Sequence, residues 1–155
     1  MSRSDVERLL TPDACIAAVE LRTAAATAVA AKYLAPERCE TALICGCGAQ
    51  AAAQLRALLR VRRPARIYAY DQDSEKARQF ASRQEAELAM EVSGVPDLRE
   101  AAAASRIIVT CTTAQRYFIT RDMVKQGTFV AAVGADSEGK QEIEPALMAS
   151  ATVVT

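Results

Sequence analysis

Hydrophobic and polar residues along this chain repeat with two periods, one typical of strands and one typical of helices. Five short segments predict strands: 42–45, 66–70, 88–92, 106–111 and 128–133. Helical patterns follow them at 49–59, 74–86, 97–104, 120–125 and 144–149. IIVTC and TFVAAV are continuous runs of apolar or small residues, as expected for strands buried on both faces. This alternation predicts an α/β fold with a doubly wound, Rossmann-like parallel sheet.

The first 40 residues follow a helical pattern only. Ser4 and Glu7 form a capping box, which predicts a short helix over 5–10. Thr11 is a good N-cap for a second helix, rich in Ala, over 13–34, and Pro36 ends it. We therefore divide the chain into an N-terminal helical segment, 1–40, and a Rossmann domain, 41–155.

Composition narrows the function classes. Lys plus Arg and Asp plus Glu both total 19, and this zero net charge argues against a nucleic-acid partner. No apolar stretch is long enough for a membrane span, the N-terminus lacks a signal-peptide core, and the odd set of five cysteines indicates a reducing compartment. We expect a cytoplasmic protein.

Histidine is absent from the chain, which excludes His-based triads and His metal sites. Cys45 and Cys47 form C-x-C, but no second cysteine pair completes a metal site, so no metal is expected. Any proton transfer must then use a carboxylate, Lys, Tyr, Cys or water.

Gly46, Gly48 and Ala51 form G-x-G-x-x-A between a predicted strand and a predicted helix. In a dinucleotide-binding unit, Gly46 would allow the tight turn and Gly48 would let the main chain approach a pyrophosphate. Ala51 would let the helix pack closely on the strand. The alternative is a glycine pair in an ordinary strand–helix turn.

Asp71 ends the second predicted strand in IYAYD, where dinucleotide-binding units place an acid that bonds the ribose hydroxyls. A carboxylate there repels a 2′-phosphate, which favours NAD over NADP. The alternative, that Asp71 caps the next helix, is weaker because Asp73 and Ser74 are better placed to do so.

Four stretches, LRTAAATAVAAKYLA, GCGAQAAAQL, IVTCTT and VGADSEGKQEI, together resemble the ornithine cyclodeaminase/mu-crystallin family. The resemblance implies hydride transfer between NAD(P) and the α-carbon of a small amino or imino acid, as in cyclodeaminases and ketimine or pyrroline-2-carboxylate reductases. It also implies a possible homodimer. The alternatives are a non-catalytic NAD(P)-binding module and a folded remnant without a ligand.

The resemblance assigns roles to individual positions. Asp136 matches the catalytic acid or base. The positions matching cofactor contacts are Arg22, Gly46, Gly48, Ala49, Gln50, Asp71, Thr112, Ala131, Ala132, Val133 and Lys140. Without the resemblance, the sequence indicates that Asp136 is a carboxylate in a turn and that Lys140 is a solvated surface lysine.

The chain departs from the family between Glu20 and Leu21. In the family, a mixed α/β lobe lies there and supplies a substrate-binding lysine and arginine and most of the dimer interface. The family's C-terminal helix is also missing after Thr155. We expect either a deletion or a join of separate segments. A join would leave Glu20 and Leu21 far apart, whereas consecutive Cα atoms lie about 3.8 Å apart.

Overall fold

The computed structural model describes the main chain of residues 12–155 and the side chains of residues 19–155. Five parallel strands form one sheet in the order β3-β2-β1-β4-β5. They are β1 Thr41–Cys45, β2 Arg66–Tyr70, β3 Glu91–Gly94, β4 Ile107–Thr110 and β5 Phe129–Ala132. The strand order reverses between β1 and β4, which confirms the doubly wound fold.

Helices cover both faces of the sheet. They are α1 Pro12–Leu34, α2 Ala49–Leu59, α3 Ser74–Leu88, α4 Leu98–Ala104 and α5 Pro145–Ala149, with a 3₁₀ turn at Arg121–Met123. On one face, Leu55 of α2 and Phe80 of α3 belong to the same buried cluster as Ile44 of β1. On the other, Ala102 of α4 and Leu147 of α5 share a cluster with β1 and β4. The core therefore has two apolar layers separated by the sheet.

The carboxyl ends of four strands lie in one row. Cys45 of β1 pairs with Tyr70 of β2 and with Thr110 of β4, and Thr110 pairs with Ala132 of β5. Ligands of doubly wound sheets bind outside this edge, near the point where strand order reverses. The register therefore brings the predicted site segments, which follow these strands, to one edge.

The long helix α1 packs against α2 through residues spaced three or four apart, of which Ala24, Thr27 and Ala31 are buried. It runs unbroken through Glu20 and Leu21. Within residues 12–155, none of the helices combines the length and apolar character needed to cross a membrane.

Arg62 links the C-terminal end of α1 to the segment after α2 by hydrogen bonds. Its guanidinium donates hydrogen bonds to the carbonyl oxygens of Lys32, Ala35, Pro36 and Val61 over 2.8–3.0 Å. These include carbonyls at the end of α1 that have no partner within the helix. One side chain thus satisfies the C-terminus of α1 and joins it to the segment that follows α2.

Most predicted elements are found, but the third strand lies later than the sequence predicts. Helix α3 continues to Leu88, and Ala89 ends it in the left-handed region with φ of 50°. Strand β3 then includes Gly94, where a Cβ would lie 3.0 Å from the main chain of Arg78. Gly94 thus allows a close contact between strand and helix. The helix predicted over 5–10 and the side chain of Cys15 lie outside the described residues.

Candidate functional site

The turn after β1 requires glycine at its first position. Gly46 has φ of 90°, and a Cβ there would lie 2.8 Å from the carbonyl oxygen of Cys111. Its N–H donates to the carbonyl oxygen of Tyr70 over 2.8 Å. Glycine tolerates this conformation because it has no Cβ to clash. The predicted tight-turn role of Gly46 is therefore consistent with the structure.

Gly48 plays a different part in the same turn. It is the N-cap of α2, without a side-chain cap, and a Cβ built on it meets nothing within 4 Å. The next residue, Ala49, is exposed, whereas Ala51 is fully buried against the sheet. Gly48 is exposed at the N-terminus of α2, the helix end whose dipole favours an anion.

Gln50 also belongs to this first turn of α2. Its Oε1 atom is buried and has no hydrogen-bond partner among the described residues. The position was assigned a main-chain contact with the cofactor, and its N–H lies in the uncapped turn after Gly48. The side chain adds an acceptor beside that turn, which the sequence motif alone does not show.

Asp71 lies beside the glycine turn, as predicted, and does not cap the next helix. Its Oδ2 accepts a hydrogen bond from the N–H of Cys47 over 2.9 Å, and its Oδ1 accepts one from the N–H of Asp73 over 3.1 Å. Asp73 caps α3 by accepting from the N–H groups of Glu75 and Lys76. The Nζ atom of Lys76 lies 3.7 Å from Asp71 Oδ2. This lysine, which the sequence interpretation missed, adds a cation beside the Asp71 carboxylate.

Two cysteine thiols line the same edge. Burial, followed by the nearby charge of Asp71, raises the pKa of Cys47 to about 12. Burial, followed by the charge of Glu142, raises the pKa of Cys111 to about 12. A thiol with such a pKa stays protonated and unreactive at neutral pH. Both cysteines therefore act as packing residues, as the sequence predicts.

Thr112, after β4, is held by a residue that the sequence interpretation missed. Glu142 is 1% exposed, and its Oε1 accepts hydrogen bonds from both the N–H and the hydroxyl of Thr112 over 2.7 Å. The hydroxyl of Thr110 and the N–H of Gly134 donate to Oε2 over 2.7 and 2.8 Å. One carboxylate thus joins the ends of β4 and β5. The available signal is the place of Glu142 in VGADSEGKQEI, one of the stretches that carry the family resemblance.

Asp136 and Lys140 lie in the loop after β5 and contact each other. Lys140 Nζ donates to Asp136 Oδ1 over 2.6 Å, and Asp136 is 67% exposed. The hydrogen bond and the charge of Lys140 lower the pKa of Asp136. Asp136 is therefore a carboxylate at neutral pH, as a proton acceptor must be. The loop bends at Gly139, where φ is 84°.

The remaining predicted site residues lie at the end of β5 and on α1. Ala131 and Val133 are half-buried and Ala132 is exposed, at the end of β5 and just after it. Arg22 is exposed on α1, and no hydrogen bond or ion pair among the described side chains links it to another site residue. The assignment of Arg22 as a cofactor contact therefore rests on the family resemblance alone.

The site thus has two halves along one edge. The ends of β1 and β2 carry the glycine turn and Asp71, whereas the ends of β4 and β5 carry Thr112, Val133 and the loop with Asp136. Between them lies the reversal of strand order, where dinucleotides bind across a doubly wound sheet. Residues 19–155 contain no cluster of three or more potential metal-binding side chains.

The sequence model of the ornithine cyclodeaminase/mu-crystallin family matches residues 8–155. The chain belongs to this family. The match begins before α1, and it covers the glycine turn, Thr112 and the Asp136 loop together. The resemblance inferred from four short stretches is thereby confirmed over almost the whole chain.

Members of the family with known sequences or structures are similar over most of this chain. An uncharacterized cyclodeaminase of Sinorhizobium fredii is 42% identical over 136 residues, which are 86% of this chain and 40% of that protein. An archaeal alanine dehydrogenase dimer with bound NAD superposes with a TM-score of 0.82 at 36% identity, covering 87% of this chain and 41% of that one.

The Δ1-pyrroline-2-carboxylate reductase of Thermococcus litoralis, solved with NADH and L-proline, gives a TM-score of 0.80 at 32% identity. The alignment covers 83% of this chain and 40% of that one. The chain thus spans about two fifths of the length of the relatives that it matches.

Proposed function

We propose that this chain binds NAD(H) as the nucleotide-binding part of an amino-acid or imino-acid oxidoreductase of its family. The observation that carries the proposal is the uncapped start of α2 at Gly48, which faces open space with the Asp71 carboxylate beside it. A pyrophosphate fits the first feature and a ribose fits the second. Relatives with bound NAD or NADH share this fold at more than 30% identity.

NAD is the favoured form of the cofactor. Asp71 would accept hydrogen bonds from the ribose hydroxyls and would repel a 2′-phosphate. Lys76 lies 3.7 Å from this carboxylate and reduces that repulsion, so we expect a preference for NAD rather than exclusion of NADP.

Within the proposed site, Asp136 is the candidate proton acceptor. When bound, the nicotinamide would exchange a hydride with the α-carbon of the substrate. Oxidation of an amine also releases a proton, and Asp136 is a solvent-accessible carboxylate, the form of the side chain that can accept one. Lys140 holds that carboxylate in place through its hydrogen bond. In the reverse direction, the protonated acid would return the proton as the imine is reduced.

A second candidate is a domain that binds NAD(H) without turnover. The observation that favours it is the 67% exposure of Asp136, because an enclosed substrate pocket would bury the reacting carboxylate more deeply. In both proposals the domain binds the cofactor, so they differ only in whether it transfers a hydride to or from a substrate.

Two measurements test these proposals in sequence. Titration with NADH, followed by its fluorescence, tests binding, and absence of saturable binding would overturn the proposed function. Assays of NAD reduction with ornithine or alanine, and of NADH oxidation with a cyclic imino acid, then distinguish the enzyme from the binding domain. Intact mass must first verify the 155-residue chain.

We also propose a homodimer. One archaeal relative is a dimer, and α1 exposes the apolar side chains of Leu21, Val29 and Tyr33. Sedimentation at several concentrations tests it, and a monomer at high concentration would contradict it.

The redox state of the cysteines is relevant to the cellular compartment of the protein. Cys39, Cys45, Cys47 and Cys111 are free thiols, which fits the reducing cytoplasm that we propose as the location.

A further inference from the structure

Glu142 is the most completely bonded buried acid among the described residues. Its carboxylate receives four hydrogen bonds of 2.7–2.8 Å from Thr110, Thr112 and Gly134. Two of the donors are main-chain N–H groups, which can only donate. Each oxygen of the Glu142 carboxylate thus accepts from one main-chain N–H and one hydroxyl.

The charge of Glu142 has no cationic partner in the part of the chain that the structure describes. None of the ion pairs there includes Glu142. The negative charge is balanced by hydrogen-bond donors alone, and in a water-excluded position it acts over a longer range than a surface charge. The raised pKa of neighbouring Cys111 is one consequence of it.

Glu142 lies beneath one half of the proposed cofactor site and not beneath the other. Doubly wound sheets bind one mononucleotide on each half. The glycine turn and Asp71 follow β1 and β2, so that half would hold the adenosine, and the ends of β4 and β5 would hold the nicotinamide. Thr112 and Gly134, which Glu142 bonds, follow β4 and β5.

We propose that Glu142 is a positioning residue of the nicotinamide half, and that its buried charge favours the positively charged oxidised ring over the neutral reduced ring. The proposal rests on the proposed function, because it presumes that NAD(H) binds at this edge. It adds a residue and a redox preference that the family resemblance does not supply.

The positioning part follows from close packing around Gly134. A Cβ on Gly134 would lie 2.4 Å from Glu142 Oε1 and 2.3 Å from the carbonyl oxygen of Thr112. The ends of β4 and β5 therefore approach each other through the carboxylate without room for a side chain. Because the Asp136 loop starts directly after Gly134, the same contact also fixes where that loop leaves the sheet.

Calorimetric titration of the 155-residue chain with NAD⁺, NADH and ADP-ribose tests the proposal. ADP-ribose keeps both riboses and the pyrophosphate and lacks only the nicotinamide, so it reports on binding without the ring whose charge differs between NAD⁺ and NADH. In Glu142→Gln, which keeps the shape and removes the charge, NAD⁺ affinity should fall roughly five- to tenfold more than NADH affinity. ADP-ribose affinity should stay within about twofold. Thr110→Val is the matched control, because it removes one donor and keeps the charge, and it should leave the ratio of the two affinities unchanged.

If circular dichroism shows that Glu142→Gln does not fold, Glu142→Asp tests the positioning part of the proposal, because it keeps the charge and shortens the side chain that bonds both main-chain N–H groups. It should weaken NAD⁺ and NADH together while ADP-ribose binding is kept. Equal losses for all three ligands in a folded variant would indicate a merely structural role and overturn the proposal, as would unchanged affinities. If the unmodified chain binds none of the three ligands, the proposed function itself fails, which is a separate result.

Discussion

The carboxylate of Asp71 accepts a hydrogen bond from the main-chain N–H of Cys47 over 2.9 Å and so joins the end of β2 to the turn after β1. The residue that we propose to bond a ribose therefore also holds the turn that we propose to receive the pyrophosphate. A useful substitution at Asp71 must remove the charge and keep an oxygen that accepts from Cys47, because a residue without that acceptor would disturb the turn as well as the cofactor preference.

Asp71→Asn should narrow the preference for NAD over NADP. Asn keeps an oxygen that can accept from Cys47, and it removes the charge that repels a 2′-phosphate while Lys76 remains nearby. We expect NADP(H) affinity to rise about tenfold relative to NAD(H), measured by fluorescence titration with both reduced cofactors. Asp71→Ser with Gln72→Arg should go further and reverse the preference. Equal affinities for the two cofactors in the unmodified protein would show that Asp71 does not face the ribose.

Gly48→Val should abolish NADH binding and leave the fold intact. The added side chain meets no protein atom within 4 Å at its Cβ, and φ of −85° is allowed for valine, but the side chain would occupy the space proposed for the pyrophosphate. Gly46→Ala is the contrasting variant. It should destabilise the protein by roughly 1–3 kcal/mol because of its positive φ and its contact with Cys111. Thermal unfolding separates the two effects, and undiminished NADH affinity in Gly48→Val would refute the assignment of this turn.

Lys140→Met should raise the pKa of Asp136 towards its ordinary value. Lys140 lowers this pKa through a hydrogen bond and its charge, so removing it makes the carboxyl group bind its proton at higher pH. Carboxyl-carbon NMR titration measures the shift directly, without requiring turnover. Lys125→Met, which removes another lysine elsewhere on the surface, should leave the titration of Asp136 unchanged. An unshifted Asp136 in Lys140→Met would show that the two side chains do not pair in solution.

Arg62→Ala should destabilise the fold by about 2 kcal/mol and leave NADH affinity unchanged. Arg62 bonds four carbonyl oxygens at the ends of α1 and α2, which lie at the amino edge of the sheet, away from the proposed site. Its exposed neighbour Arg63 offers a matched control, because Arg63→Ala removes the same charge without those bonds. Chemical denaturation of both variants gives the comparison, and equal stabilities would exclude the capping role.

Cys47 and Cys111 should react slowly with iodoacetamide at pH 8 in the folded protein. With a pKa of about 12, each thiol is almost entirely protonated at that pH, and the thiolate is the reactive form. Peptide mass spectrometry after timed quenching resolves the individual cysteines, and a urea-denatured sample supplies the unprotected rates. Similar rates in the folded and denatured samples would be inconsistent with the burial described for these residues.

The sequence predicts the fold well where the signal is local. Strands β2 and β4 are found where their apolar patterns place them, and α2 spans the predicted residues because a glycine turn and an Ala-rich pattern define it. The error at β3 arises because Leu88 continues the apolar pattern of α3 and also fits a strand. Only packing between Gly94 and α3 decides the boundary.

Long-range contacts explain what the sequence did not reveal at the site. Glu142 and Arg62 are ordinary charged residues in the sequence, and their partners lie up to 32 residues away. Neither role has a spacing rule, because the folded sheet brings their donors or acceptors together. The glycine turn could be predicted since Gly46, Gly48 and Ala51 act through their own main chain, whereas Lys76 became relevant only through its distance to Asp71.

The carboxylate bridge at Glu142 also sets an order of events during synthesis. The glycine turn has its partners once residue 71 and strand β4 are made, but the N–H groups of Thr112 and Gly134 have no side-chain acceptor until residue 142 is added. Domains generally fold as units. A nascent chain that stalls before residue 142 would therefore lack the acceptor that joins the ends of β4 and β5.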